Sequence, residues 1–222
     1  KQLGLIQLHG KELSYNNYND IFSSLEILKS IKGKAGTVIV KHANPCGVSE
    51  NKYPINSFRN AYSSDPTSAF GGVIACNYKI NKRIAAEISK NFLEVILAKG
   101  FDKASLKILK KKKNLRIIDI TNYKYKKVPS IKTFDGSFLI QSKDELVFDK
   151  KKLKCVTKLK PNKKELAEVL FAFKISKYVK SNAIVICKNF STIGIGAGQP
   201  SRIDSCKIAI EKARNFHPTK IK

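Results

Sequence analysis

Short, continuously apolar runs rich in β-branched residues constrain this chain more than any other feature. Thr37 to Val40 is one such run; Val73 to Ala75, entered through Gly71-Gly72, is another, and Phe92 to Ala98 and Leu115 to Ile120 follow. A strand with one wet face alternates apolar and polar residues, whereas a continuous run needs cover on both faces. The segments between these runs read as helices. Ile21, Leu25 and Leu28 fall at i, i+4 and i+7, in a helix expected to close near Gly33. Ile55 to Tyr62 is a short helix broken by Asp65-Pro66-Thr67-Ser68, Asn81 is a good N-cap before Ile84 and Ile88, and Ser105 to Asn114 is rich in lysine. Strand and helix alternate, which predicts an α/β layered fold for the first 120 residues.

The second half is less regular. Residues 121–157, with Tyr123, Tyr125, Pro129, Asp135-Gly136 and a lysine run, read as hairpin and connector. Pro161-Asn162 then opens a long helix with Leu166, Leu170 and Phe173 on one face, followed by a strand over Ala183 to Cys187. Next comes Gly194-Ile195-Gly196-Ala197-Gly198. With strand period two, one face of this run is bare backbone, so another backbone or a flat ligand must approach it closely. It is not a dinucleotide fingerprint, because Gln199 stands where a third spaced glycine is needed and no acidic residue follows at the expected distance. The final helix starts near Ser201, with Ile203, Cys206, Ala209 or Ile210, and Ala213 facing inward.

Composition narrows the function classes. The 222 residues are 42% hydrophobic, enough for a buried core. No stretch approaches the roughly 20 apolar residues of a membrane span and the first residues do not form a secretory signal, so a cytoplasmic protein with no membrane partner is expected. Five cysteines without a C-x-x-C pair form neither a disulfide framework nor a zinc ribbon. His42 and Cys46 at i, i+4 could begin a metal site, but no second close ligand pair appears and no metal is expected. The net charge of +26 raises the alternative of a basic nucleic-acid-binding module. Only five of the 43 basic residues are Arg, and the lysines are spread along the chain, which describes solvated faces better than a binding stripe.

The stretch with most chemistry runs from Val38 to Gly47. A buried strand stops at Lys41-His42, and Pro45 and Gly47 are expected to turn the chain there. An ammonium and an imidazole therefore sit at a strand's carboxyl end, where open α/β sheets bind ligands.

Several blocks identify a resemblance: Gly10 to Asn17 (GKELSYNN), Val40 to Gly47 (VKHANPCG), Asp65 to Gly72 (DPTSAFGG), Lys180 to Val185 (KSNAIV), and Ile193 to Gln199 (IGIGAGQ) with Ser201-Arg202. In this order they resemble the AICAR transformylase domain of the bifunctional purine biosynthesis enzymes, which couple that activity to IMP cyclohydrolase. The resemblance covers nearly the whole chain. It implies a cytidine-deaminase-like three-layer αβα fold of two related subdomains, the second truncated, without the deaminase zinc. It implies formyl transfer from the cosubstrate 10-formyltetrahydrofolate to the 5-amino group of AICAR, and a homodimer. Carried over by position, Lys41 and His42 are the catalytic pair and Asn182 orients the formyl group. Asn16, Asn17, Asp65, Ser68, Phe70, Gly71, Gly72, Gln199 and Arg202 are candidates for nucleotide and folate contacts. Plainer roles stay open: Asn182 as a helix C-cap, Asp65-Pro66 as a turn, Arg202 as an ion-pair partner. His9 and His217 are expected at the surface.

The departures also carry expectations. An upstream Arg-Tyr-Gly-x-Asn-Pro-His-Gln block, a downstream Ser-Asp-Ala-Phe-Phe-Pro-Phe block, a Gly-Gly segment and the cyclohydrolase domain have no counterpart. Residues 1–157 would form the first transformylase subdomain and 158–222 an incomplete second. The chain is expected to be a fragment or trimmed version of a longer enzyme, inactive alone, or else a non-catalytic remnant that has kept the fold.

Overall fold

A computed structural model describes residues 4–32, 34–145 and 148–219. Strand β1 (Ile6–His9) leads to helix α1 (Tyr15–Lys29), which begins where Ser14 and Asn17 cap each other: each side-chain oxygen accepts the other's backbone N–H at 3.2 Å. Its buried residues include Ile21, Leu25 and Leu28, as their spacing predicts. The expected end at Gly33 lies outside the described residues; α1 closes at Ser30.

Strands β2 (Ala35–Lys41) and β3 (Asn44–Asn51) form a tight antiparallel hairpin. This corrects the expected turn at Pro45 and Gly47. The reversal is made by His42 and Ala43, at φ of 53° and 58°, and both Pro45 and Gly47 lie within β3. Two left-handed central residues match the twist of a two-residue hairpin loop. Val40 pairs with Pro45 while Ile39 pairs with Gly47, so Cys46 is an extra residue, and a bulge is where a strand tolerates proline.

Helices α2 (Pro54–Ser64) and α3 (Pro66–Ala69) precede β4 (Val73–Cys76); α4 (Lys82–Ile88), β5 (Val95–Ala98), α5 (Lys103–Leu109) and β6 (Arg116–Asp119) continue the alternation. A separate hairpin, β7 (Ser130–Phe134) and β8 (Ser137–Gln141), turns at Asp135-Gly136. Then come α6 (Lys163–Ser176), β9 (Ile184–Lys188), β10 (Ser191–Gly196) and α7 (Arg202–Phe216). Eight strands make one mixed sheet in the order β1-β6-β5-β4-β2-β3-β10-β9, with β4, β5 and β6 parallel and the other pairs antiparallel. Side chains of α1 and α6 cover one face, and α2, α4, α5 and α7 the other, giving the three-layer α/β arrangement. Because β2 is antiparallel to β4 and β10 to β9, the end of β2, the entries to β4 and β9 and the end of β10 are drawn to one edge of the sheet.

The bare glycine face meets another backbone. A Cβ on Gly194 would lie 2.1 Å from the Ala209 carbonyl oxygen, and one on Gly196 1.8 Å from that of Ser205. Helix α7 therefore rests directly on β10, through Ser205, Ala209 and Ala213. Ile203, expected inward, is 67% exposed, because only small residues fit where backbones touch. In α6 the expected stripe is also out of phase: Phe171 and Ile175 are buried, while Leu166 and Phe173 are exposed. His217, expected at the surface, is buried.

Candidate active site

Two strained residues stand at the centre of this edge. His42 and Ala43 are held left-handed by Asp20 of α1, whose carboxylate accepts the His42 N–H at 3.2 Å and the Ala43 N–H at 2.7 Å. An L-residue in this conformation costs roughly 1–2 kcal/mol, and the carboxylate offsets it with charge-assisted hydrogen bonds. The turn places His42 in solvent, beside Lys41, which is half-buried and donates its Nζ to the Phe70 carbonyl at 2.7 Å. Asn44 accepts the Lys180 N–H at 3.0 Å, joining the segment before β9 to the same turn.

A cleft of about 530 Å³ opens beside the turn, lined among others by Lys41, His42, Asp65, Ser68, Gln199 and Lys212. Asp65 caps α3, accepting the Ser68 N–H at 2.9 Å and the Ser68 hydroxyl at 2.7 Å. It is only 4% exposed and pairs with Lys212 Nζ at 2.7 Å. Burial alone would raise its pKa, but the Lys212 ammonium and the two Ser68 donors outweigh it and hold the carboxyl below the ordinary aspartate value. Burial, reinforced by the Asp65 charge, pushes the Cys46 thiol in the cleft wall up to about 12, so this sulfur stays protonated. The cleft thus presents two ammonium groups, an imidazole and one committed carboxylate.

The remaining sequence candidates divide. Asn182 enters at the same edge: its backbone N–H and its side-chain amide both donate to Gln199 O, at 3.1 and 2.9 Å, and the amide also donates to Pro200 O at 2.8 Å. Both amide hydrogens are therefore engaged within the chain, and Asn182 is not a helix C-cap, since α6 ends at Ser176. Gln199 lines the cleft and folds its own amide onto Ala197 O at 3.1 Å. Phe70 is exposed, with Gly71 and Gly72 leading from it into β4. Asn16 and Asn17 lie in the first turn of α1; Asn16 is exposed and Asn17 is buried, donating to Glu94 Oε2 at 3.0 Å. Arg202 is exposed at the start of α7, outside the cleft lining, and its guanidinium makes no hydrogen bond or ion pair among the described residues. A second hollow of about 710 Å³ lies against Ala43, walled by Phe22, Tyr123, Tyr178 and Lys143.

Asp20 and Lys212 were not legible in the sequence. Asp20 gives a weak signal, an acidic residue one position before an apolar helical stripe. Lys212 is one lysine among many, brought to Asp65 only by the glycine-bedded path of α7. Among the described residues no three His, Cys, Asp or Glu side chains are grouped to hold a metal ion, and no helix is long and apolar enough to cross a membrane.

The fold and this edge define a three-layer α/β protein with an ammonium and an imidazole adjacent on a strained hairpin turn. The chain belongs to the AICARFT/IMPCHase bienzyme family, whose model matches residues 1–212. It is 46% identical over 207 residues to the bifunctional purine biosynthesis protein PurH of Thermoanaerobacter sp. (strain X514), covering 93% of this chain and 40% of that protein. The proteins of the same name from Anoxybacillus flavithermus and Persephonella marina are each 44% identical, over 93% and 95% of this chain. The chain spans about 40% of the length of these relatives.

Proposed function

We propose that this chain carries part of a formyl-transfer site of purine biosynthesis, acting on AICAR with 10-formyltetrahydrofolate as the one-carbon donor. The observation that carries the reading is the Lys41-His42 pair, fixed by Asp20 and Phe70 at the mouth of a cleft, in a chain of this family. The 5-amino group of AICAR is a weak nucleophile and must lose a proton as its bond to the formyl carbon forms. An imidazole, which titrates near neutrality, suits that transfer. His42 takes the amine proton and returns it to the folate nitrogen as the carbon–nitrogen bond to the donor breaks. Lys41 stabilises the oxyanion of the tetrahedral intermediate.

Asn182 stays the candidate for orienting the formyl group. With its amide hydrogens held by Gln199 and Pro200, it acts through its carbonyl oxygen or through the loop it braces. In this reading Asp65, Ser68 and Gln199 face the substrates from the cleft wall. A homodimer, in which a second copy closes the site, belongs to the same proposal.

Replacing His42 by Ala, in a full-length family protein carrying this segment, tests the reading. Loss of a positioned general acid–base group should lower turnover about 10²–10⁴-fold. Near-normal formyl transfer by the His42→Ala protein defeats the assigned role.

A further inference from the structure

We propose that Phe92 is a positioning residue for Lys41, acting through the loop that holds the lysine ammonium. For its catalytic consequence this rests on the formyl-transfer reading above; its structural content does not. Lys41 Nζ donates to the Phe70 carbonyl, so the place of that ammonium is set by wherever the Phe70-Gly71-Gly72 loop is fixed. Phe70 is exposed and buries little that would anchor it. The anchor is the entry to β5. The Gly71 N–H donates to Phe92 O at 2.9 Å, the Glu94 N–H donates to Gly72 O at 3.2 Å, and the Phe92 ring packs against the Phe70 ring at a tilt of 38°, with centroids 4.9 Å apart.

Gly71 completes the fit. Its φ is +74°, and its bare α-carbon face lies against the Phe92 ring, whose nearest atom would be 3.5 Å from a Cβ there. The same short segment also receives Asn17, through Glu94. Three blocks far apart in sequence, the α1 cap, the loop before β4 and the end of β2, are thus registered on residues 92–94. Phe92 is itself 48% exposed, so its ring contributes little to the core. A half-exposed aromatic carrying two contacts to a loop that holds a cleft cation acts on that cation's position more than on folding.

The test is amine acetylation of the folded 222-residue chain, with the labelling rate of each lysine read by peptide mass spectrometry. In the unmodified chain Lys41 should react more slowly than exposed Lys99. Phe92→Ala should speed labelling of Lys41 several-fold and leave Lys99 unchanged, and Phe92→Tyr, which keeps the ring, should restore the slow rate. Should Phe92→Ala not fold, Phe70→Ala, which removes the other ring and keeps the carbonyl, gives the same expected rise. An unchanged Lys41 rate in a folded variant overturns the proposal. In a full-length family protein Phe92→Ala should lower kcat with KM for the amine substrate nearly unchanged. Full turnover by His42→Ala would sink the formyl-transfer reading and leave the labelling result standing.

Discussion

At the scale of single residues, the site is built on backbone strain and on an ion pair whose carboxylate is buried. Ala43 has a φ of 58° without glycine's freedom, and Asp20 compensates it. Ala43→Gly should therefore raise stability by up to about 1 kcal/mol, the relief of a left-handed L-residue less glycine's entropic cost, read as a higher urea midpoint. Asp20→Ala should lower that midpoint. The Asp65–Lys212 pair makes a prediction in pH. Because the folded carboxyl titrates below its ordinary value, the unfolded chain binds more protons in acid. Stability from this group is complete above the ordinary aspartate pKa and is lost as pH falls through the lower folded value. Lys212→Met should flatten that part of the acid limb and, by leaving a buried carboxylate without its cation, cost roughly 3 kcal/mol near neutrality. An acid limb unchanged by Lys212→Met would show that the pair does not set the Asp65 titration. Lys41-His42 and Asp65 were visible in the sequence because they fall within ordered blocks. Lys212 was not, because no local pattern distinguishes a lysine that meets a carboxylate from one that meets water.

At the scale of elements, the contact between α7 and β10 is the most exacting. A methyl group at Gly196 would enter the Ser205 carbonyl, backbone against backbone, which no side-chain movement relieves. Gly196→Ala should thus lose more stability in denaturant titration than Gly136→Ala, which has open space and costs only the roughly 1 kcal/mol of its positive φ. Equal losses would mean that the helix does not sit on the glycines. The alternation of glycines announced this close approach, because period two is a property of the strand alone. The phase of the helices did not follow in the same way. Helix α6 carries apolar residues nearly all round, from Leu166 to Ile175, so its spacing fits several inward faces. Packing of Phe171 against Phe190 selects one. The hairpin turn was misplaced for a related reason: Pro45 and Gly47 usually break strands, but here a bulge takes the proline and Gly47 yields to the Ala61 carbonyl of α2.

At the scale of the whole molecule, short buried strands alternating with helices were enough to foresee a layered α/β fold, while the order of the strands was not. Joining β10 to β3 and β2 to β4 is what gathers residues from four segments at one edge. The β7–β8 hairpin stands outside this sheet and exposes Ile131, Phe138, Leu139 and Ile140. A hydrophobic dye should bind the chain, and Phe138→Ser with Leu139→Ser should reduce its fluorescence; an unchanged signal would place the apolar patch elsewhere. The charge of +26 was the loudest compositional feature, and dispersed lysines predict only weak, steeply salt-dependent attraction to nucleic acid. The proposed formyl transfer depends instead on Lys41 and His42 acting as a unit. The most direct measurement is a double-mutant cycle on formyl transfer in a full-length family protein, comparing Lys41→Met, His42→Ala and the two together. Groups serving one transition state are strongly non-additive, so the double variant should fall little below the worse single one. Additive losses, or singles that retain normal turnover, would contradict the account.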